Sequence, residues 1–440
     1  MRVKFWGTRG SIATPGPGTV HFGGNTSCVE VTTDAGVRFI LDCGTGARLL
    51  GLHLMANCPK PLQGNLLLSH THWDHIQGFP FFVPLFVPGN RFSVYAPQGA
   101  GASLGDVLSG QMEFTYFPVE LSQLPAQLQY VDLPEGIHEI DGVRVLAQFL
   151  NHPAVALGYR IQCGNASVVY LCDHEPFSET LWRSDAEPGK LDSILHAGDR
   201  RHAQFMACAD LVIHDAQYTP DEYPTKKNWG HSTYEYAVEM AALAGVKRLA
   251  LMHHDPGHDD AFIQGIEDAA REVARRRGSS MEVFCAVEGA EILLRPTEQP
   301  TDSHIVLKGS GAIGHTRILV ADDDPDVRLL VRRALGGNDY EIREAGNGLE
   351  ALKSIDANPP DLVILDVLMP GIDGLQVLKK MRSNPQTAQI PVIILTSMTD
   401  ETTTRDGFDT GAADFLTKPF SIPQLATRVK VCLARRAETR

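Results

Sequence analysis

The chain has no Cys-x-x-Cys pair: its eight cysteines are scattered, and Cys28, Cys172 and Cys432 read as parts of apolar strands. Reduced core thiols are therefore expected rather than a disulfide framework. No apolar run is long enough to cross a bilayer, and the opening Met1-Arg-Val-Lys-Phe-Trp-Gly-Thr-Arg lacks the apolar stretch of a secretion signal. A cytoplasmic protein without a membrane partner is the expectation. Positive charge is also short, with 39 Lys and Arg against 53 Asp and Glu, a net charge of −14. That balance disfavours a long polyanion as ligand, because phosphate neutralisation needs clustered cations. At 440 residues and 43% hydrophobic content, the chain can still bury two independent cores.

What is present is concentrated in Leu66-Leu-Leu-Ser-His70-Thr-His72-Trp-Asp74-His75, three imidazoles and a carboxylate in the turn after an apolar strand. Histidine is the commonest neutral ligand for zinc and similar metals, and a carboxylate adds the negative charge that a second cation needs. In an extended or turning backbone His70 and His72 can point to one side while Asp74 and His75 serve a neighbouring position. Three further apolar runs stop at possible ligands. Val145 to Leu150 runs into Asn151-His152, Ser167 to Cys172 into Asp173, and Arg248 to Met252 into His253-His254-Asp255. His253 directly follows its strand, with the same offset as His70, and is preferred to His254 as a ligand.

The His-x-His-x-Asp-His pattern resembles the signature of the metallo-β-lactamase superfamily. The resemblance implies an αββα sandwich and a dinuclear centre, with His152 joining His70 and His72 at the first site. Asp173 would bridge both metals, and His253 would join Asp74 and His75 at the second. Zn²⁺, Mn²⁺ and iron suit such ligands alike. Asp42, ending the strand Phe39-Ile-Leu-Asp42, is expected to hydrogen-bond a ligand histidine from behind. Cys43 and Cys172 adjoin these residues but are not read as ligands.

The superfamily hosts many chemistries. Here His214-Asp215-Ala-Gln217 and Trp229-Gly-His231-Ser-Thr233 precede an amphipathic stretch and the last ligand. This order is similar to that of ribonuclease Z and its phosphodiesterase relatives, although the acid is Asp215 where that family has Glu. The resemblance implies phosphodiester hydrolysis: two metals clamp the phosphate and activate a water, Asp74 takes part at the centre, and His231, oriented by Asp215, protonates the departing alkoxide. His231 could instead cap the helix beginning near Thr233. The short segment between His152 and Asp173 has no arm for transfer RNA, so a small phosphodiester such as a cyclic nucleotide is the expected substrate. A thioesterase or lactonase is the alternative, and a non-catalytic ligand or dioxygen sensor the contrasting class. The apolar run Gly78 to Pro88 reads as a lid, a core loop or a dimer contact, which leaves a homodimer open. Gly23 to Ser27 either presents Asn25 to substrate or is a plain turn.

After a polar, glycine-containing connection at 296–315, a second pattern begins. Arg317-Ile-Leu-Val-Ala runs into Asp322-Asp323-Asp324, and Asp361 to Asp366, Pro391 to Thr396 and Ala413 to Lys418 follow as strands between helices. Together they resemble the receiver domain of a two-component response regulator. The chain is thus read as an α/β protein, with a metallo-β-lactamase sandwich at 1–295 and a (βα)5 doubly wound receiver at 316–440. In the receiver, Asp322, Asp323 and Asp366 would hold Mg²⁺, and Asp366 would accept the phosphoryl group from a sensor histidine kinase. Lys418 and Thr396 would bind that group, with Phe415 either a switch aromatic or core packing. No DNA-binding domain is expected as a partner of this receiver.

Overall fold

The computed structural model describes residues 1–97, 103–178, 181–182, 189–295, 316–335, 340–397, 411–418, 420 and 422–437. The chain divides into two compact units. The expected connection at 296–315 lies outside the described residues.

The first unit is built on two seven-stranded sheets. One runs in the spatial order Glu291–Leu293, Arg2–Gly7, Cys28–Thr32, Arg38–Leu41, Gln63–Leu67, Arg91–Ala96 and Gln127–Asp132. The other runs Glu282–Cys285, Arg248–Met252, Leu211–Asp215, Ala166–Leu171, Leu157–Cys163, Val143–Phe149 and Gly136–Ile140. The central strand Ala166–Leu171 is buried at all positions, as an apolar strand covered on both faces must be. Two phenols of the second sheet tie it to strand ends of the first: Tyr159 donates to the Leu68 carbonyl at 2.5 Å and Tyr170 to Asp42 at 2.7 Å.

Helices cover the outer faces. Gly46–Asn57 buries Ala47, Leu50 and Leu54 against the first sheet, and Phe79, Phe82 and Leu85 join the same core. The prolines of the 78–88 run break it into two short 3₁₀ turns that put Phe79, Phe82 and Leu85 in the core and leave Phe81 exposed. On the other side, Asp260–Arg276 turns Ile263, Ile266, Ala270 and Val273 inward. The Asp259 side chain caps its first turn by accepting from the Phe262 amide, and Arg275 and Arg276 lie in its last.

The second unit is an all-parallel five-stranded sheet in the order Tyr340–Ala345, Thr316–Ala321, Leu362–Asp366, Val392–Ser397 and Asp414–Lys418. Apolar clusters line both faces, one around Val363, Leu365 and Ile394, the other around Ile364, Ile393 and Leu395. That is the doubly wound arrangement, in which the carboxyl ends of the strands make the functional edge. The strand expected around Cys28 is present, but Cys432 lies in the helix Ile422–Ala437, where it is buried in the cluster with Ile364.

Candidate metal centre

The candidate residues of the first unit sit where strands stop. His70 and His72 follow Gln63–Leu67, and Asp74 and His75 lie on the short helix Trp73–Ile76. His152 follows Val143–Phe149, Asp173 follows Ala166–Leu171, and His253 follows Arg248–Met252. Asp42, Asp173 and His253 have φ of 58°, 56° and 64°. At each, a left-handed kink bends the chain sharply as the strand ends. A non-glycine residue in this region costs on the order of 1 kcal/mol, least for Asp and Asn.

Asp173 is the hub. Its Oδ1 is 3.1 Å from His253 Nε2 and 3.2 Å from His75 Nε2, and its Oδ2 is 3.5 Å from His70 Nε2 and 3.8 Å from His152 Nε2. Asp74 Oδ2 is 3.1 Å from His253 Nε2 and 3.3 Å from His75 Nε2. His72 completes the first group, its Nδ1 3.1 Å from His152 Nε2. Three sets of donor atoms in this unit lie close enough to share an ion: His70, His72, His152 and Asp173; His75, Cys172, Asp173 and His253; and Asp173, Asp215, His231 and His253. His72 is solvent-exposed whereas its partners are buried, which leaves the first group open on that side.

The donor set fits cations. His70 Nε2, His75 Nε2 and Asp173 Oδ1 are buried, converge on one another, and make no hydrogen bond, an arrangement that is costly unless something positive is shared among them. Burial and the neighbouring His75 push the His70 imidazole well below its usual value, and burial lowers His152 to about 3 despite Asp173. Both are neutral, ligand-ready rings. Burial would raise the Asp173 carboxyl, but His253, His75 and His231 hold it well below the usual carboxylate range. Cys172 is different: burial and then Asp173 push its thiol up, and its Sγ contacts Ser27 Oγ at 3.6 Å. A neutral thiol is a poor ligand.

Four of the ligand candidates are held from behind. His75 Nδ1 is 2.8 Å from Asp42 Oδ2, and Asp42 also accepts from the Ser69 amide and the Ser69 and Tyr170 hydroxyls. His152 Nδ1 lies 3.1 Å from the Gly230 carbonyl, which fixes Nδ1 as the donor. Asp74 accepts from the Ser11 amide at 2.7 Å, and His253 Nδ1 lies 2.9 Å from Gln217 Oε1. Two glycines permit the fit. A Cβ at Gly10 would lie 2.3 Å from His253 Nδ1, and one at Gly230 (φ 89°) 2.2 Å from His152 Nδ1. The adjacent His254 faces away, with Nε2 3.1 Å from the Ala286 carbonyl. Asn25 is occupied by Glu288, which accepts from its side chain at 3.1 Å and also from its amide.

His231 stands beside the centre, stacked on His253 at 4.9 Å and 19°. Its Nδ1 is 2.8 Å from Asp215 Oδ2. Burial disfavours charge on His231, but Asp215 and Asp173 outweigh it and raise the group to about 9. The following helix Tyr234–Leu243 is capped by the Thr233 side chain, which leaves the His231 ring free of that duty.

Behind Asp215 lies a buried polar layer with no sequence signature. His174 and His202 stack at 3.7 Å, His202 Nε2 meets His214 Nε2 at 2.8 Å, and Tyr236 donates to Asp199 at 2.6 Å. Burial raises Asp199 to about 7, against the hydrogen bonds from Tyr236 and Phe177. An acid whose folded value is raised keeps a proton that the unfolded chain has lost, so stability falls as pH rises from the unfolded value near 4 to about 7. Asp199→Asn keeps the acceptor without the titration. It is expected to flatten that fall and to gain roughly 2 to 4 kcal/mol at pH 8, read from denaturant midpoints measured between pH 5 and pH 8.

In the second unit, carboxylate oxygens of Asp322, Asp323 and Asp366 lie close enough to share one ion, a hard oxygen set suited to Mg²⁺. Lys418 Nζ is 2.7 Å from both Asp322 and Asp366. Burial raises the Asp366 carboxyl, while Lys418 opposes the rise. Thr396 is buried near the end of the neighbouring strand, and the half-buried Phe415 packs against the core cluster containing Val363 and Ile394.

Comparison with known proteins agrees with this division. The model of the β-lactamase superfamily domain matches residues 37–254, and that of the response regulator receiver domain matches residues 318–430. Response regulator MprA of Mycobacterium sp. (strain KMS) is 43% identical over 119 residues, 27% of this chain and 51% of that protein. The chain thus spans about half the length of the curated relatives it matches. A putative response regulator of known structure from Chloroflexus aurantiacus J-10-fl is 43% identical, covering 28% of this chain and 100% of its own, with TM-score 0.27. The metallo-β-lactamase-fold protein YhfI from Bacillus subtilis is 18% identical, covering 66% of this chain and 99% of its own, with TM-score 0.46.

Proposed function

Because the chain carries a β-lactamase-superfamily domain and a response regulator receiver domain, we propose that it is a dinuclear metal-dependent phosphodiesterase governed by phosphorylation of its receiver. The observation that carries the reading is the Asp215–His231 pair, an imidazole held by a carboxylate at 2.8 Å and stacked on His253 at the edge of the donor cluster. A phosphodiester needs such a group, since its departing alkoxide must be protonated.

His70, His72 and His152 would hold one cation, Asp74, His75 and His253 the other, and Asp173 both. When bound, the ions supply charge stabilisation at the phosphoryl group and activation of the attacking water. The chain's own work is positional. Asp42, Gln217 and the Gly230 carbonyl orient His75, His253 and His152, so the donor set is rigid before substrate arrives. Asp215 would orient the His231 ring through Nδ1 and favour its protonated form, the form that can give a proton to the leaving oxygen. The open side at His72 and the net charge of −14 suit a small diester rather than a long polyanion.

In the receiver, a sensor histidine kinase would transfer a phosphoryl group to Asp366 beside Mg²⁺, and Lys418 and Thr396 would bind the product. The added charge biases a two-state element, which is how the hydrolase would be governed.

The test is turnover of a chromogenic phosphodiester, a lactone and a thioester by protein reloaded separately with Zn²⁺, Mn²⁺ or Fe²⁺, with and without beryllofluoride as phosphoryl mimic. Metal-dependent turnover of the phosphodiester above the other two supports the reading. Turnover of only the lactone or thioester sinks it. A mimic that changes neither rate nor oligomeric state removes the regulatory part.

A further inference from the structure

Resting on the phosphodiesterase reading, we infer that Tyr218, Lys226 and Trp229 form the wall that receives the nucleotide part of the substrate, which makes that substrate a nucleoside-bearing phosphodiester. The argument starts from an unspent group. Tyr218 is 1% exposed, and its hydroxyl is buried with no hydrogen-bond partner. A phenol rarely gives up that bond without a ligand to supply it. Its ring stands edge-on to His231, 5.9 Å between centroids. The hydroxyl therefore belongs to the neighbourhood of the proton donor, and burial together with Asp215 keeps it a donor, raising its pKa well above the usual phenol range.

Two more groups complete the wall. Lys226 Nζ lies 5.9 Å from the Tyr218 ring and 4.4 Å above the Trp229 ring. Trp229 is 57% exposed, two residues before His231. Apart from Lys226 its ring is left largely to water, and an aromatic face gains most when something covers it. The segment is held firmly. Glu175 accepts from the Asn228 and Gly230 amides at 2.7 and 2.9 Å and from the Tyr223 hydroxyl at 2.9 Å. The Tyr218 amide donates to the Ser232 carbonyl, and the Tyr234 amide to the Tyr218 carbonyl.

A cation, a hydroxyl donor and a flat aromatic face on one rigid segment match one chemistry. The ammonium and the phenol suit phosphoryl oxygens, and the indole face suits a planar base, which stacks on aromatics without regard to its sequence identity. A sugar phosphate or an alkyl diester would use the first two and waste the third.

The experiment compares binding of adenosine 5′-monophosphate and ribose 5-phosphate to the metal-loaded full chain by calorimetry, beside diester turnover. Wild type is expected to prefer the nucleotide by about ten-fold. Trp229→Ala should abolish that preference, while Tyr218→Phe and Lys226→Gln should weaken both ligands together. Trp229 is exposed and Tyr218→Phe removes one oxygen, so both variants should fold, which unchanged circular dichroism would verify. Equal affinities in wild type, or a preference that survives Trp229→Ala, overturn the inference. If diesters are hydrolysed without base preference, the inference falls alone. If no diester is hydrolysed but the Trp229-dependent preference persists, the phosphodiesterase reading falls and the nucleotide wall stands.

Discussion

Asp173→Asn protein reloaded with Zn²⁺ should hold at least one ion fewer per chain than wild type and lose roughly a thousand-fold in turnover. Of the side chains at the centre, Asp173 alone offers oxygens to both donor groups, Oδ1 toward His75 and His253 and Oδ2 toward His70 and His152. Asparagine preserves its volume and tolerates the left-handed backbone at φ 56°. It removes the charge and replaces one acceptor by an N–H donor that faces imidazole nitrogens. A loss of about 4 kcal/mol in transition-state stabilisation is a thousand-fold in rate, within the several kcal/mol that a catalytic cation contributes. Metal counting by mass spectrometry separates this outcome from misfolding. An unchanged ion count with wild-type turnover would show that Asp173 is not shared.

His231→Ala should cost roughly a hundred- to ten-thousand-fold on a diester with an alkoxide leaving group. On a p-nitrophenyl diester the loss should shrink to about ten-fold or less, because that phenolate departs without a proton. This leaving-group dependence is what a merely structural histidine would not produce. The His231 ring stacks on His253, so its removal also disturbs packing, but a packing defect would slow both substrates alike. Asp215→Asn should follow the same pattern more mildly, since it leaves the imidazole in place with its Nδ1 partner weakened. Equal losses on the two substrates would remove proton donation from the mechanism.

The strand-end histidines and acids could be read from the chain because each is a local event, an apolar run followed at once by a polar residue. The same locality made the receiver legible, since Asp322, Asp366, Thr396 and Lys418 all fall at or beside the carboxyl ends of parallel strands. What could not be read depends on residues far apart. Gln217 reaches His253 across 36 positions, the Gly230 carbonyl reaches His152 across 78, and Glu288 engages Asn25 across 263. Nothing in a run of sequence marks such a partner. His214 begins the segment that carries Asp215, but its buried partners His174 and His202, with the nearby Asp199, could not be read for the same reason. Gly230 could have been suspected, lying beside His231, but only the fold shows which rings it and Gly10 admit.

The left-handed kinks set different terms for change at different positions. At Asp42 and Asp173 the backbone and the chemistry ask for the same residue, because an acid tolerates that conformation and also serves the centre. At His253, with φ 64°, they disagree: the backbone would be eased by glycine or asparagine, neither of which replaces an imidazole. Selection for thermal robustness alone would therefore press hardest on this position. A lineage relieved of its chemistry would be free to drift there first, keeping the scaffold while losing the reaction.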